Sequence, residues 1–360
     1  MTTALLAGGG TAGHVNPLLA LADHWRSVEP DAQLLVLGTA EGLEARLVPA
    51  RGYELLTIPR VPFPRRPDRA ALAFPGRFRS AVRRTRQLIR ERGVEVVVGF
   101  GGYAAAPAYV AARLERVPII AHEANARPGI ANRLAVMLGG RAAVTFAGTP
   151  LRGARLVGMP LRREIVTLDR PAMRATARRE LELDPDRPLL LVTGGSTGAQ
   201  RLNETLTASA ARLLGTGWQV LHLTGTGRGG EDPGLPGYRT LAYADRMDLV
   251  FAATDLVLCR AGAATVSELA ALGLPAVLVP YAAGNGEQRL NARELVEAGG
   301  AVLLPDDELT DDWVAASLVP LLERRDEIAR MAAAAASVGH RDGAESLLAL
   351  VRASLAGHSA

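Results

Sequence analysis

Two stretches of this chain repeat one short design. LLAGGGTAGH at Leu5–His14 and LLVTGGSTGA at Leu190–Ala199 each run an apolar strand into a Gly-Gly-x-Thr turn and then a helix. A buried strand that ends in glycine and restarts as a helix opens a βα unit, and repeated βα units build parallel sheets. Short apolar runs then alternate with amphipathic helical patterns along the whole chain. In the first half they fall at Ala4–Ala7, Gln33–Leu37, Glu54–Ile58, Val94–Val98, Pro118–Ala121, Ala142–Thr145 and Arg155–Val157. In the second they fall at Leu189–Val192, Gln219–Leu223, Arg239–Leu241, Leu256–Cys259, Ala276–Val279 and Ala301–Leu303. At 360 residues the chain exceeds what one core usually organises. The expected fold is therefore α/β, with two Rossmann-like domains, 1–160 and 161–340, facing across a cleft. Gly158-Met159-Pro160 punctuates the junction. A last helical segment within 341–360 can return to either domain.

Composition narrows the chemistry. All 41 basic residues are arginine, which removes Schiff-base and P-loop lysine chemistry. The single cysteine, Cys259, sits inside an apolar run and reads as core packing. No apolar run is long enough to span a bilayer, and MTTALLAGGG lacks the basic start of a signal peptide. No metal-ligand constellation is visible; Asp184-Pro185-Asp186, with proline at its centre, reads as a turn.

Three glycine-rich turns follow strands, at Gly8–Gly13, Gly99–Gly102 and Gly194–Gly198. Glycine lets a phosphate approach the free N–H groups of a helix start. None has the dinucleotide or P-loop spacing, so as a set they fit diphosphate cradles of another kind. The segment Asp255–Asn291 adds a strand, a small-residue helix start at Ala261–Thr265, Glu268 one turn in, and a polar loop with Gln288 and Asn291. Helix N–H groups suit phosphates, and a carboxylate one turn on can bind vicinal hydroxyls. These parts describe a pocket for a nucleoside diphosphate joined to a polyhydroxylated group. His14 closes the first glycine turn at the C-terminal edge of a parallel sheet, where open α/β folds bind ligands. General base and structural cap are both open to it. His122 and Glu123 end another strand beside Asn125 and could face the same cleft.

The charge is uneven. Between Arg60 and Arg92 eleven arginines meet only Asp68 and Glu91. A helix from Pro75 would carry Phe78, Val82 and Ile89 on one face, with Phe74 just upstream and Arg79, Arg83, Arg86 and Arg90 alongside. That pattern fits a helix lying on an anionic membrane surface. The alternatives are an apolar stripe packed on the sheet under solvated arginines, or nucleic-acid binding, for which no recognised module is present.

The motifs GGGTAGHVNP (Gly8–Pro17), GFGGYAAAP (Gly99–Pro107), HEANARPGIANR (His122–Arg133), GMPLR (Gly158–Arg162), GGSTGAQRLN (Gly194–Asn203) and CRAGAATVSELAALGLPAVLVPY from Cys259 occur in one order over nearly the whole length. In that order the chain resembles the MurG family of N-acetylglucosaminyltransferases. The resemblance implies the GT-B glycosyltransferase fold. It also implies UDP-N-acetylglucosamine and an undecaprenyl-diphosphate-linked muramyl-pentapeptide as substrates, no cofactor and no metal. The enzyme would sit peripherally on the cytoplasmic face of the cell membrane. The C-terminal domain would hold the donor: Ser196 and Arg162 at its diphosphate, the backbone near Ala244 at uracil, and Ala263, Ala264, Thr265, Val266 and Ser267 along phosphates and sugar. Glu268 would bind ribose, and Gln288 and Asn125 the N-acetylglucosamine. Thr11, Ala12 and Gly13 would form the acceptor loop. Gly10, Gly101, Gly102 and Tyr103 would hold the acceptor diphosphate. His14 would be the base, with Glu123 as second candidate. Where the family often has glycine, this chain has Ala12, which is tolerated only at negative φ. Rival readings are another GT-B transferase, a UDP-N-acetylglucosamine epimerase, or a non-catalytic sugar-nucleotide-binding module.

Overall fold

The computed structural model describes residues 2–64, 69–195, 198–226, 231–281 and 286–357. The chain divides into two compact units, 1–163 with 341–360 and 164–340. Each is a parallel sheet with helices between its strands.

The sheet of the first unit is built from β1 (Thr3–Ala7), β2 (Gln33–Gly38), β3 (Glu54–Thr57), β4 (Val96–Gly99), β5 (Ile119–Glu123), β6 (Arg141–Val144) and β7 (Arg155–Leu156), in the order 3-2-1-4-5-6-7. Helices cover both faces, so the central strands are apolar throughout rather than alternating: ALLA in β1 and VVV in β4 are buried. The order reverses between β1 and β4, which pair in register from Ala4 with Val96 to Ala7 with Gly99. Chain leaving β1 enters α1 (Ala12–Val28), and chain leaving β4 enters α4 (Gly102–Glu115). Such a switch point leaves a crevice beyond the strand ends. Between them in sequence come α2 (Glu44–Ala50) and α3 (Arg69–Arg92), and α5 (Ile130–Met137) follows β5.

The helix Gly343–Ala356 packs on α1 and places Leu347, Leu348, Leu350 and Val351 in one core with Trp25, Leu6 and Val98. Glu29 ties the pair together. It accepts from the Trp25 indole at 2.9 Å and from Arg352 Nε at 2.8 Å. The Trp25 bond does most to hold its carboxyl below the usual range, against a smaller opposing effect of burial.

The second unit repeats the topology with β8 (Leu189–Thr193), β9 (Gln219–Leu223), β10 (Tyr238–Leu241), β11 (Leu256–Cys259), β12 (Ala276–Leu278) and β13 (Ala301–Leu303), ordered 10-9-8-11-12-13. Its switch point lies between β8 and β11. Cys259 is buried there, and burial pushes its thiol up to about 12. Asp184 accepts from the N–H groups of Asp186 and Arg187, which makes 184–187 a turn.

Several boundaries shift by one to three residues from the sequence reading, and one helix start shifts further. The helix expected from Pro75 begins at Arg69, so Pro75 lies inside it.

Among the described residues each unit buries one histidine. Burial pushes His122 and His222 down to about 4, so both are neutral in the native protein near pH 7. Once unfolded, each takes up a proton below about 6.5. Their contribution is therefore full above pH 6.5 and is lost as pH falls through 4, at up to about 3 kcal/mol per histidine. Urea midpoints should fall between pH 7 and 4.5, with neither imidazole titrating by NMR between pH 5 and 8. A midpoint near 6.5 for either ring would contradict this.

Candidate functional site

The first switch point holds a cavity of about 310 Å³ lined by Gly9, Gly10, Thr11, His14, Thr39, Glu41, Gly42, Arg60, Gly102 and Tyr103. Its wall is two glycine turns pressed together. Gly10 and Gly102 have φ of +88° and +78°, a region that side chains rarely adopt. A Cβ on Gly102 would lie 2.3 Å from the Gly9 carbonyl oxygen. The close approach exists because glycine stands at both places.

His14 is in the first turn of α1. Its Nδ1 is 3.2 Å from the Gly9 carbonyl oxygen and 3.2 Å from Thr11 Oγ1. A carbonyl only accepts, so in the tautomer that uses this contact Nδ1–H donates and Nε2 keeps a lone pair. Nε2 is 3.1 Å from where a Cβ of Gly101 would stand, so it faces the second glycine turn. Ala12 starts α1 at negative φ; among the described residues the positive-φ non-glycines are Arg116 and Glu182. Ala12 and Gly13 lie just outside the cavity lining.

Tyr103 carries the guanidinium of Arg60 over its ring at 4.8 Å. Arg60, Thr39, Glu41 and Gly42 were not singled out by sequence. They sit after β2 and β3, which bear no motif. Glu44, buried at the start of α2, was missed as well.

His122 and Glu123 belong elsewhere. His122 is fully buried, with Nε2 3.1 Å from the Gly158 carbonyl and its ring 5.5 Å from that of Phe100. Glu123 accepts from Asn125 N–H, Gly129 N–H and Asn132 Nδ2 at 2.9–3.0 Å. With its oxygens committed to the 125–129 loop, it braces that loop and is not placed as a base. Asn125 is half-buried beside it.

In the second unit the helix Ala263–Leu272 opens at Gly262 and closes at the left-handed Gly273. Ala264, Thr265, Ser267 and Glu268 are partly exposed, whereas Ala263 and Val266 are buried. The side chains of Ala263 and Val266 therefore face the core, which leaves only their backbone to a ligand at this helix start. Arg260, just before this helix, is committed to Asp306 and to the carbonyls of Val279 and Pro280. The facing turn needs Gly194, where a Cβ would lie 2.4 Å from Ala199 N. Ser196 lies outside the described residues. Ala244 is in the loop after β10, and Gln288 Oε1 accepts from Tyr281 N–H at 2.9 Å. Arg162 is half-buried in the first unit just after Gly158-Met159-Pro160. Among the described residues no cluster of His, Cys, Asp or Glu could hold a metal ion.

The apolar stripe of α3 packs largely on the sheet. Val82, Leu88 and Ile89 are buried in the sheet core, and Phe74 and Phe78 pack against it with Phe63. Arg86 and Arg90 both pair with Glu115 of α4. Val82 is thus taken by the core, while Phe74, Phe78 and Arg86 are half-buried. Arg77, Arg79, Arg83 and Arg84 remain exposed, as does Leu72 at 84%. No described helix is long and apolar enough to cross a membrane.

The models of the glycosyltransferase family 28 N-terminal and C-terminal domains match residues 4–143 and 189–347. The chain is similar to the UDP-N-acetylglucosamine–N-acetylmuramyl-(pentapeptide) pyrophosphoryl-undecaprenol N-acetylglucosamine transferase of Leifsonia xyli subsp. xyli, at 62% identity over 99% of both chains. The Streptomyces coelicolor transferase of the same name is 49% identical over 98% of each. Among solved structures, MurG of Acinetobacter baumannii superposes with a TM-score of 0.79 at 26% identity, covering 98% of this chain and 99% of that one.

Proposed function

The chain belongs to the MurG family within glycosyltransferase family 28, and from that membership we propose how its residues divide the reaction. The enzyme has the two-domain GT-B fold. It moves N-acetylglucosamine from UDP-N-acetylglucosamine to the lipid-linked muramyl-pentapeptide in peptidoglycan synthesis. The first unit takes the acceptor, with its diphosphate against the Gly10, Gly101, Gly102 and Tyr103 turns and Thr11. The second takes the donor. Ala264, Thr265 and Ser267 lie along phosphates and sugar, Glu268 on the ribose hydroxyls, Gln288 on the transferred sugar and Ala244 near uracil. Arg162, Ser196 and Asn125 complete the donor contacts.

The C4 hydroxyl of the muramyl sugar attacks the anomeric carbon with inversion. The new C–O bond forms as the bond to UDP breaks, UDP leaves with the electron pair, and His14 Nε2 takes the hydroxyl proton. Helix N–H groups stabilise the departing charge. The observation that carries this reading is His14 in the wall of a glycine-lined cavity, with Nδ1 3.2 Å from the Gly9 carbonyl and Nε2 toward the Gly101 turn. Incubation with UDP-N-acetylglucosamine and a lipid-diphosphate acceptor tests it. UDP release only with acceptor is expected. Release or epimer without acceptor, or tight donor binding with no turnover, would overturn it.

The protein also sits peripherally on the cytoplasmic face of the cell membrane, through the exposed arginines of α3 with Leu72. Ile130 and Met137 of α5, 65% and 83% exposed, add apolar area. Each surface-near arginine contributes roughly 1 kcal/mol on an anionic bilayer. The protein should pellet with anionic vesicles at low salt, and reversing Arg77, Arg79, Arg83 and Arg84 to glutamate should abolish this. Equal pelleting of the two would refute it.

A further inference from the structure

Glu44 is a carboxylate with no contact to solvent. Its Oε1 accepts from Thr39 N–H at 2.9 Å and Thr39 Oγ1–H at 2.7 Å, and its Oε2 accepts from Gly10 N–H at 2.8 Å. Space for it is made by three glycines. A Cβ on Gly9, Gly38 or Gly42 would come within 2.3, 2.5 or 2.1 Å of its side chain. A first-turn acid that only favoured the helix dipole would lie in water; this one is threaded beneath the glycine turn.

The N–H that it holds belongs to the same peptide unit as the Gly9 carbonyl, which accepts from His14 Nδ1. The described peptides are all trans, and a planar trans peptide points its N–H and C=O in opposite directions. Glu44 thus grips one end of a single rigid dipole and His14 the other. We propose that Glu44 is a positioning residue for the base: through the Gly9–Gly10 peptide it fixes the tautomer of His14 and raises the proton affinity of Nε2. The inference rests on the reading of His14 as base.

The physical argument is polarisation. An anion accepting from the peptide N–H makes the carbonyl oxygen more negative, which strengthens its bond from Nδ1–H and favours the imidazolium that forms on proton transfer. Glu44 stays charged. Burial opposes its ionisation, but the bonds from Gly10 and Thr39 outweigh it and hold the carboxyl below the usual range. Other ionisable groups around His14 are Glu41 after β2, Arg60 after β3 and Tyr103 on α4. Glu41 and Arg60 are exposed and of opposite sign, so water screens both. Glu123 of β5 approaches only through Asn132, whose Nδ2 is 3.9 Å from the Gly101 Cβ position.

The test compares wild type, His14→Ala and Glu44→Gln across pH in the lipid-acceptor assay, with ¹⁵N NMR of the His14 ring in the full chain. For Glu44→Gln, kcat should fall at least about tenfold, as expected for loss of a partner that orients a functional imidazole. The acidic limb of kcat/KM and the His14 midpoint should both move to lower pH, with donor KM unchanged. A His14→Ala enzyme of near-normal turnover would remove the base reading itself. An inactive His14→Ala enzyme beside a Glu44→Gln enzyme with unmoved limb and midpoint would overturn this inference alone. Should Glu44→Gln not fold, the wild-type Gly10 amide decides. Its resonance should titrate with the His14 midpoint, and an insensitive amide would overturn the proposal.

Discussion

His14→Ala should cost about 100- to 10,000-fold in kcat, the usual range for a positioned general base. Binding of UDP-N-acetylglucosamine should change little, because His14 is not among the groups assigned to the donor. Calorimetry with the donor and turnover with a lipid acceptor separate the two quantities. An alanine enzyme within a few-fold of wild type would show that the ring caps α1 and nothing more. The geometry argues for the larger effect. An Nδ1–H that donates to the Gly9 carbonyl leaves Nε2 a lone pair to receive a hydroxyl proton.

Gly102→Ala should be nearly as damaging by another route. Its Cβ would stand 2.3 Å from the Gly9 oxygen, at a φ of +78° that alanine seldom takes. The strain alone costs about 1–3 kcal/mol. Relief requires moving Gly9, and with it the carbonyl that orients His14. A misplacement of about 1 Å can cost on the order of 100-fold in rate. Thermal unfolding should show the first effect and steady-state kinetics the second. A variant with wild-type melting and turnover would mean that the two turns separate freely.

Strands, glycine turns and helix starts were legible because their signals are local. A run such as LLAGGG states both the buried strand and the turn that ends it, and both copies led to switch points. What sequence hid depends on partners far along the chain. Glu44 looks like any acid in a first helical turn, while the N–H that explains it belongs to Gly10, 34 residues earlier. Arg60 enters the cavity from the end of a strand that carries no motif. Val266 hides its side chain for a different reason. A motif names consecutive residues, but a helix turns a side chain inward about once per turn, and here Ala263 and Val266 meet the core. The stripe on α3 shows the same ambiguity: apolar residues at helical spacing fit a membrane or a sheet equally, and here the sheet took them.

The helix Gly343–Ala356 completes the core of a unit whose sheet was finished some two hundred residues earlier. Synthesis therefore runs ahead of completion. The second unit has all its strands and helices once residue 340 has emerged, whereas the first must wait, with Trp25, Leu6 and Val98 lacking their last neighbours. During that interval the nascent protein has one half able to close and one half exposing an apolar face. The unit assigned to the lipid acceptor is thus the last to become whole.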